Sequence, residues 1–197
     1  MEDHSGHDWT ARLKAGDKKA LEEFYDRFSP MLLGVCLRYT GIREDAEDLM
    51  HESLIKILRG LDMFNPRFSG SFEMWMKRIA VNTSLNFLRE KMKAHKLNGW
   101  AVQEAEETVA DPDGSSSLPD RLEPETAVRL IGELPEGYRM VLNLYVFENY
   151  SHKEIARELN ISENTSKSQL SKARALLRKK AAALSNQNQL VKKDERA

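Results

Sequence analysis

Thr165, Lys167, Ser168, Ser171, Lys172 and Arg174 crowd cations and small hydroxyls into ten residues, with Gln169 among them. One acid, Glu163, stands in front of them. Such a set attracts phosphate, and the scarcity of long acidic side chains removes the repulsion a polyanion would meet. The bland alternative is a helical hairpin with a solvated basic face. Against it, only Leu170, Ala173, Leu176 and Leu177 are left for a core, so most of the helix is free to lie in a groove. The preceding residues must position it. Ser151 with Glu154 forms a capping box that starts a helix. Ile155, Ala156 and Leu159 give that helix one apolar face. Asn160 suits the left-handed residue that ends a helix, and Ser162 suits the cap of the next. Two short helices and a three-residue turn predict a helix-turn-helix, with DNA as the first candidate partner.

Two further constellations lie earlier. Between Arg43 and Leu61 a helical period puts Ala46, Met50, Ser53, Leu54, Ile57, Leu58 and Leu61 on one arc. Asp45, Asp48, Leu49, Glu52, Ile55, Lys56 and Arg59 fall on the opposite arc. A solvated surface explains the charges, but two aliphatics set among carboxylates also suit docking of a basic protein partner. From Phe72 to Lys93 a second helix is expected. Phe72, Met76, Ile79, Ala80, Thr83 and Phe87 point inward, while Trp75, Arg78, Asn82, Asn86, Arg89 and Lys93 recur along another face. Asparagines bond base edges, cations hold phosphate and an aromatic stacks on an unpaired base, which suits melted DNA. A core tryptophan beside a solvated polar stripe is the competing reading.

Composition places these pieces in an all-α chain of two small helical domains. The net charge of −1 over 197 residues conceals a segregation. Residues 151–197 hold eleven basic and five acidic side chains, whereas residues 96–137 hold three basic and ten acidic. A front domain over 8–95, a flexible acidic linker over 96–123, a back domain over 124–185 and a fraying polar tail over 186–197 are expected. The linker either stays off DNA or threads a basic channel in a partner. In front, Trp9 to Lys14 is expected as a short helix, Asp17 caps a second through Phe28, and Pro30 opens a third from Met31 to Tyr39, closed by Gly41. The stretch from Phe64 to Phe72 reads as a turn-rich aromatic loop. In the back, Pro124 and Pro135 open two helices, the second striped by Tyr138, Val141, Leu142, Tyr145 and Val146. The single cysteine, Cys36, sits in an apolar run and reads as a buried thiol. With a polar N-terminus and no run of membrane-spanning length, a cytoplasmic protein without membrane insertion is expected.

Three motifs in order resemble the extracytoplasmic-function (ECF) group of bacterial sigma factors. Residues 38–53 (RYTGIREDAEDLMHES) are similar to the family's polymerase-binding helix. Residues 68–83 (FSGSFEMWMKRIAVNT) are similar to its minus-ten segment, and residues 134–142 (LPEGYRMVL), leading into the helix-turn-helix, to its minus-thirty-five domain. The resemblance implies a transcription initiation subunit that keeps only the second and fourth sigma domains. It implies that Asp45, Asp48, Leu49, Glu52, Ile55 and Lys56 meet the clamp helices of the largest subunit of core RNA polymerase. Trp75, Arg78, Asn82, Asn86 and Arg89 would engage the minus-ten element, and in the loop-to-helix region the family flips a base out of the stack into a protein pocket. Thr165, Lys167, Ser168, Ser171, Lys172 and Arg174 would hold the minus-thirty-five duplex. An anti-sigma factor is the further partner it implies. The chain departs from the family where it has Asn164 and Ser166 in place of the usual Gly and Val, Gln169 in place of Arg or Lys, and His51 in place of Gln. The first three bear on the target sequence rather than on the fold.

Two other classes compete. A helix-turn-helix activator of the LuxR type, working without core polymerase, would bind duplex by itself, but leaves the acidic helix and the Trp75 stripe unexplained. An enzyme would need more than Asp45, Asp48 and Glu52 on one face. No metal-ligand spacing, phosphate loop or nucleophile motif accompanies them, and His4 and His7 lie in a short terminal segment. No catalysis, cofactor or metal is therefore expected.

Overall fold

The computed structural model describes residues 5–65, 71–97 and 123–194, with side-chain environments given for 10–65, 71–91, 93 and 123–184. The described elements are helical: α1 (Ser5–Lys14), α2 (Lys18–Thr40), α3 (Arg43–Arg59), a 3-10 turn (Leu61–Met63), α4 (Phe72–Leu97), α5 (Pro124–Gly132), α6 (Glu136–Val146), α7 (His152–Leu159) and α8 (Glu163–Asp194). They fall in two compact units, Met1–Lys93 and Ala94–Ala197. Of the linker expected over 96–123, residues 96 and 97 belong to the end of α4 and residues 98–122 lie outside the described residues, as do the loop at 66–70 and Met1 to His4.

In the front unit, the Asp17 carboxylate accepts from the backbone N–H groups of Lys19 (3.0 Å) and Ala20 (3.2 Å), which starts α2. Those bonds, with Arg12 at 3.4 Å, hold its carboxyl below the usual carboxylate range. The expected break at Pro30 does not occur; α2 runs through it to Thr40. Proline removes one N–H bond, but Phe24, Phe28, Leu32, Val35, Cys36 and Tyr39 are buried on both sides of it. A continuous apolar face thus outweighs a cost of about 3 kcal/mol for an interior proline. Gly41 ends the helix in the left-handed region at φ 70°, its N–H donating to Leu37 O, a conformation glycine adopts without strain. Helix α1 begins at Ser5, earlier than expected. Cys36 is fully buried, and burial pushes its thiol up to about 11, so it is a packing residue and a poor nucleophile.

In the back unit, α5, α6 and α7 all pack on α8. The apolar stripe expected for α6 is too narrow: Arg139, Met140, Asn143 and Leu144 are buried as well, so α6 is buried on most of its circumference. Arg139 is only 5% exposed. Its guanidinium donates to the carbonyls of Gly132 (2.6 Å) and Leu134 (3.1 Å), satisfying acceptors at the end of α5. Lys180 of α8 and Arg129 of α5 both bind Glu133, at 2.7 and 3.0 Å. Helix α8 continues to Asp194, with no glycine or proline to interrupt it, so residues 186–194 of the expected polar tail are helical, while 195–197 lie outside the described residues.

Candidate nucleic-acid and partner interfaces

The helix-turn-helix is built by local bonds. Ser151 Oγ accepts from Glu154 N–H at 3.3 Å while the Glu154 carboxylate accepts from Ser151 N–H at 2.8 Å, a complete capping box. The Ser151 hydroxyl also donates to the Glu154 carboxylate at 2.6 Å, and that bond, followed by the one from Ser151 N–H, depresses the Glu154 carboxyl's pKa. Asn160 closes α7 at φ 53°. Ser162 Oγ accepts from Thr165 N–H at 2.9 Å and opens α8. Ser151→Ala should lower the stability of the back unit by about 1 kcal/mol, read as faster amide exchange in α7.

Along α8, Leu170, Ala173 and Leu177 are buried as expected, and Ser166 and Ala175 join them. Leu176 is half-buried, on the edge of the packed face. Lys167 and Ser168 are exposed; Thr165, Ser171, Lys172 and Arg174 are half-buried. Thr165 is engaged through its hydroxyl with Ser162 at 2.8 Å. The Arg174 guanidinium lies 5.6 Å from the centre of the Tyr145 ring, a cation–π contact that fixes its direction. The Gln169 amide abuts α6, where a Cβ on Gly137 would come within 3.1 Å of it.

In the front unit, α3 packs on α2 and is tied to α4 by side-chain contacts, while Phe72 of α4 also reaches Phe24 and Phe28 of α2. Asp48, Glu52, Ile55 and Arg59 form its exposed ridge, with Ile55 49% exposed. Leu49, expected on that ridge, is 4% exposed and belongs to the core. The reason lies on α4. Lys91 approaches Asp45 at 3.6 Å and Lys56 donates to Thr83 Oγ1 at 3.2 Å, so α4 covers the flank on which Leu49 stands between Asp45 and Lys56. Glu52 is paired with Lys56 at 2.7 Å. Asp48 makes no ion pair among the described residues, which leaves it and Ile55 as the centre of the patch. His51 flanks the ridge, stacked on Tyr25 with ring centres 6.3 Å apart.

On α4, Arg78, Asn82, Asn86 and Lys93 are exposed along one face, and Arg89 donates to Asn86 Oδ1 at 2.8 Å. Trp75 is half-buried: its ring stacks on Phe72 at 5.6 Å and meets Phe64 at 5.3 Å. The inward set was too short, since Val81, Ser84, Leu85 and Leu88 are buried as well. Most of the loop leading into α4, residues 66–70, where the resemblance implies a base pocket, lies outside the described residues. Sequence reasoning missed the Lys91–Asp45 pair, buried Arg139 and the contact of His152 with Ser166. The last had one visible signal, a hydroxyl where the family has an aliphatic.

These features define a two-unit all-α protein whose second unit is a helix-turn-helix. Residues 24–94 match the family Sigma-70 region 2, and residues 125–177 match Sigma-70, region 4. The ECF RNA polymerase sigma-E factor of Haemophilus influenzae is 30% identical over 183 residues, spanning 88% of this chain and 93% of its own. The ECF RNA polymerase sigma factor SigW of Bacillus subtilis is 30% identical over 182 residues, spanning 85% and 92%. The RNA polymerase sigma-H factor of Pseudomonas aeruginosa is 29% identical over 178 residues. The chain belongs to the ECF RNA polymerase sigma factors. That membership sets aside the LuxR-type reading.

Proposed function

We propose that this chain docks on core RNA polymerase through the α3 ridge, reads the minus-ten element with the exposed face of α4 and holds the minus-thirty-five duplex with α8. The observation that carries the docking role is the exposed Asp48, without an ion pair among the described residues, beside exposed Ile55. A carboxylate and an aliphatic side by side give a basic amphipathic helix both charge and apolar contact. Glu52 and Lys56 can exchange their mutual pair for contacts to the partner, since both are about half exposed. On α4, Arg78, Asn82 and Asn86 supply phosphate and base-edge contacts, Arg89 orients Asn86, and the exposed part of Trp75 offers an edge to an unstacked base. On α8, Lys167, Lys172 and Arg174 bind phosphate or base edges and the hydroxyls of Thr165, Ser168 and Ser171 add neutral contacts. The protein works in the cytoplasm, catalyses nothing itself and is held in check by an anti-sigma factor over the same surfaces. No helix among the described residues is long and apolar enough to cross a membrane.

Run-off transcription with core polymerase on a promoter library, with and without the chain, tests the proposal. Selective transcripts should appear only with the chain present. Lys172→Ala should lower promoter occupancy about tenfold, within the roughly 1–3 kcal/mol that one good contact is worth, and leave core association unchanged. Equal loss of both activities would count against the assignment of α8.

A further inference from the structure

The contact between α7 and α8 extends the duplex-reading surface beyond α8. Ser166 is fully buried, and its hydroxyl has one partner among the described residues, His152 Nδ1 at 2.9 Å. Were Nδ1 the donor, the buried hydroxyl hydrogen would be stranded without an acceptor, so the arrangement in which the hydroxyl donates to Nδ1 is favoured, and it puts the imidazole hydrogen on Nε2. The ring is held on its other side by stacking on Tyr145, with centres 4.8 Å apart and planes 25° apart. Tyr145 also carries the Arg174 guanidinium. Nε2 has no partner among the described residues and is not a buried atom, so it faces solvent as an oriented donor.

We propose that His152 is a further DNA-contacting residue, donating from Nε2 to a backbone phosphate beside the cations of α8. This rests on the reading of α7 and α8 as the duplex-binding pair. In a helix-turn-helix the first helix crosses the phosphate backbone, which is where α7 begins. Lys167 and Arg174 of α8 lie close enough to repel a proton from His152, and Glu163 close enough to attract one. From α6 the ring faces Tyr145. In the free chain, burial first and then these two cations hold the imidazole below its usual pKa, so it is neutral near pH 7. A phosphate would reverse that balance. The bound state then holds the proton more tightly, and affinity rises as pH falls through the range where His152 charges. A purely structural His152 gives the opposite sign, because charging a half-buried imidazole weakens the unit that binds.

The test is fluorescence anisotropy of the full chain on a labelled duplex of arbitrary sequence, since a phosphate contact carries no sequence information. Salt titrations at about pH 8 and about pH 6 bracket the ordinary histidine pKa. The wild-type slope of log affinity against log salt should steepen by up to about 0.9, one added phosphate neutralised. At fixed low salt, affinity should rise about two- to fivefold, the range of one exposed ion pair. His152→Phe combined with Ser166→Val removes both polar partners at once, keeps the stack on Tyr145, and should lose the increment. His152→Gln, a neutral donor, should keep the affinity at pH 8 and also lose the increment. An equal increment in wild type and both variants, or wild-type affinity falling toward acid, would overturn the proposal. A chain with no salt-dependent duplex binding at either pH would overturn the helix-turn-helix reading itself, and this proposal with it.

Discussion

Asp48→Arg should lower affinity for core RNA polymerase at least about 100-fold, because a like charge set against a partner's cations costs several kcal/mol. Asp48 is the suitable position. It is exposed and without an ion pair among the described residues, so its removal breaks nothing inside the fold. Exposed substitutions of this kind usually change stability by no more than about 0.5 kcal/mol. The loss should therefore appear in binding and not in melting temperature. Leu49→Ala separates docking from packing in the other direction. Leu49 is buried, so that substitution should cost about 2–5 kcal/mol of stability and weaken docking only through unfolding. Measuring both variants by thermal melting and by titration with core checks the distinction.

Arg139→Ala should destabilise the back unit by about 3 kcal/mol, with the front unit unaffected. The guanidinium is 5% exposed and serves the carbonyls of Gly132 and Leu134; truncation strands these acceptors and leaves a void beneath α6. Each stranded buried acceptor costs about 1–3 kcal/mol. Burial lowers the Arg139 pKa, yet a guanidinium remains charged throughout the ordinary range, so this contribution should not vary between pH 6 and pH 9. Hydrogen exchange resolved along the chain is the measurement: α6 and α8 amides should lose protection together while α2 and α3 amides keep theirs. Uniform loss over both units would show that the two fold as one.

How much of this was legible in the sequence follows from the range of each interaction. The caps at Asp17, Ser151, Asn160 and Ser162, and the glycine at 41, act within a few residues, and all were readable from residue type and spacing. Pro30 was misread because its local penalty is offset by apolar contacts on either side of it, which no window of a few residues weighs. Leu49 was misplaced because a helical wheel gives direction but not the neighbour; Thr83 and Lys91, which hold α4 there, lie more than thirty residues from Leu49 in sequence. Trp75 stays open in the sequence between a stacking platform and a core residue because, of its two partners, Phe72 is a neighbour on α4 but Phe64 is brought to it only by the chain between α3 and α4. The α8 cations were legible as a set, but the bond from Ser166 to His152 joins residues fourteen apart and depends on the angle between two helices.

Association with polymerase is the most direct test of the division of labour between the two units. Full-length chain mixed with bacterial core enzyme at low salt should co-elute on gel filtration in equimolar amounts, whether or not Lys172 is intact, and should fail to do so once Asp48 is arginine. A wild-type chain that elutes apart from core while still retaining duplex DNA would contradict the assignment of the front unit.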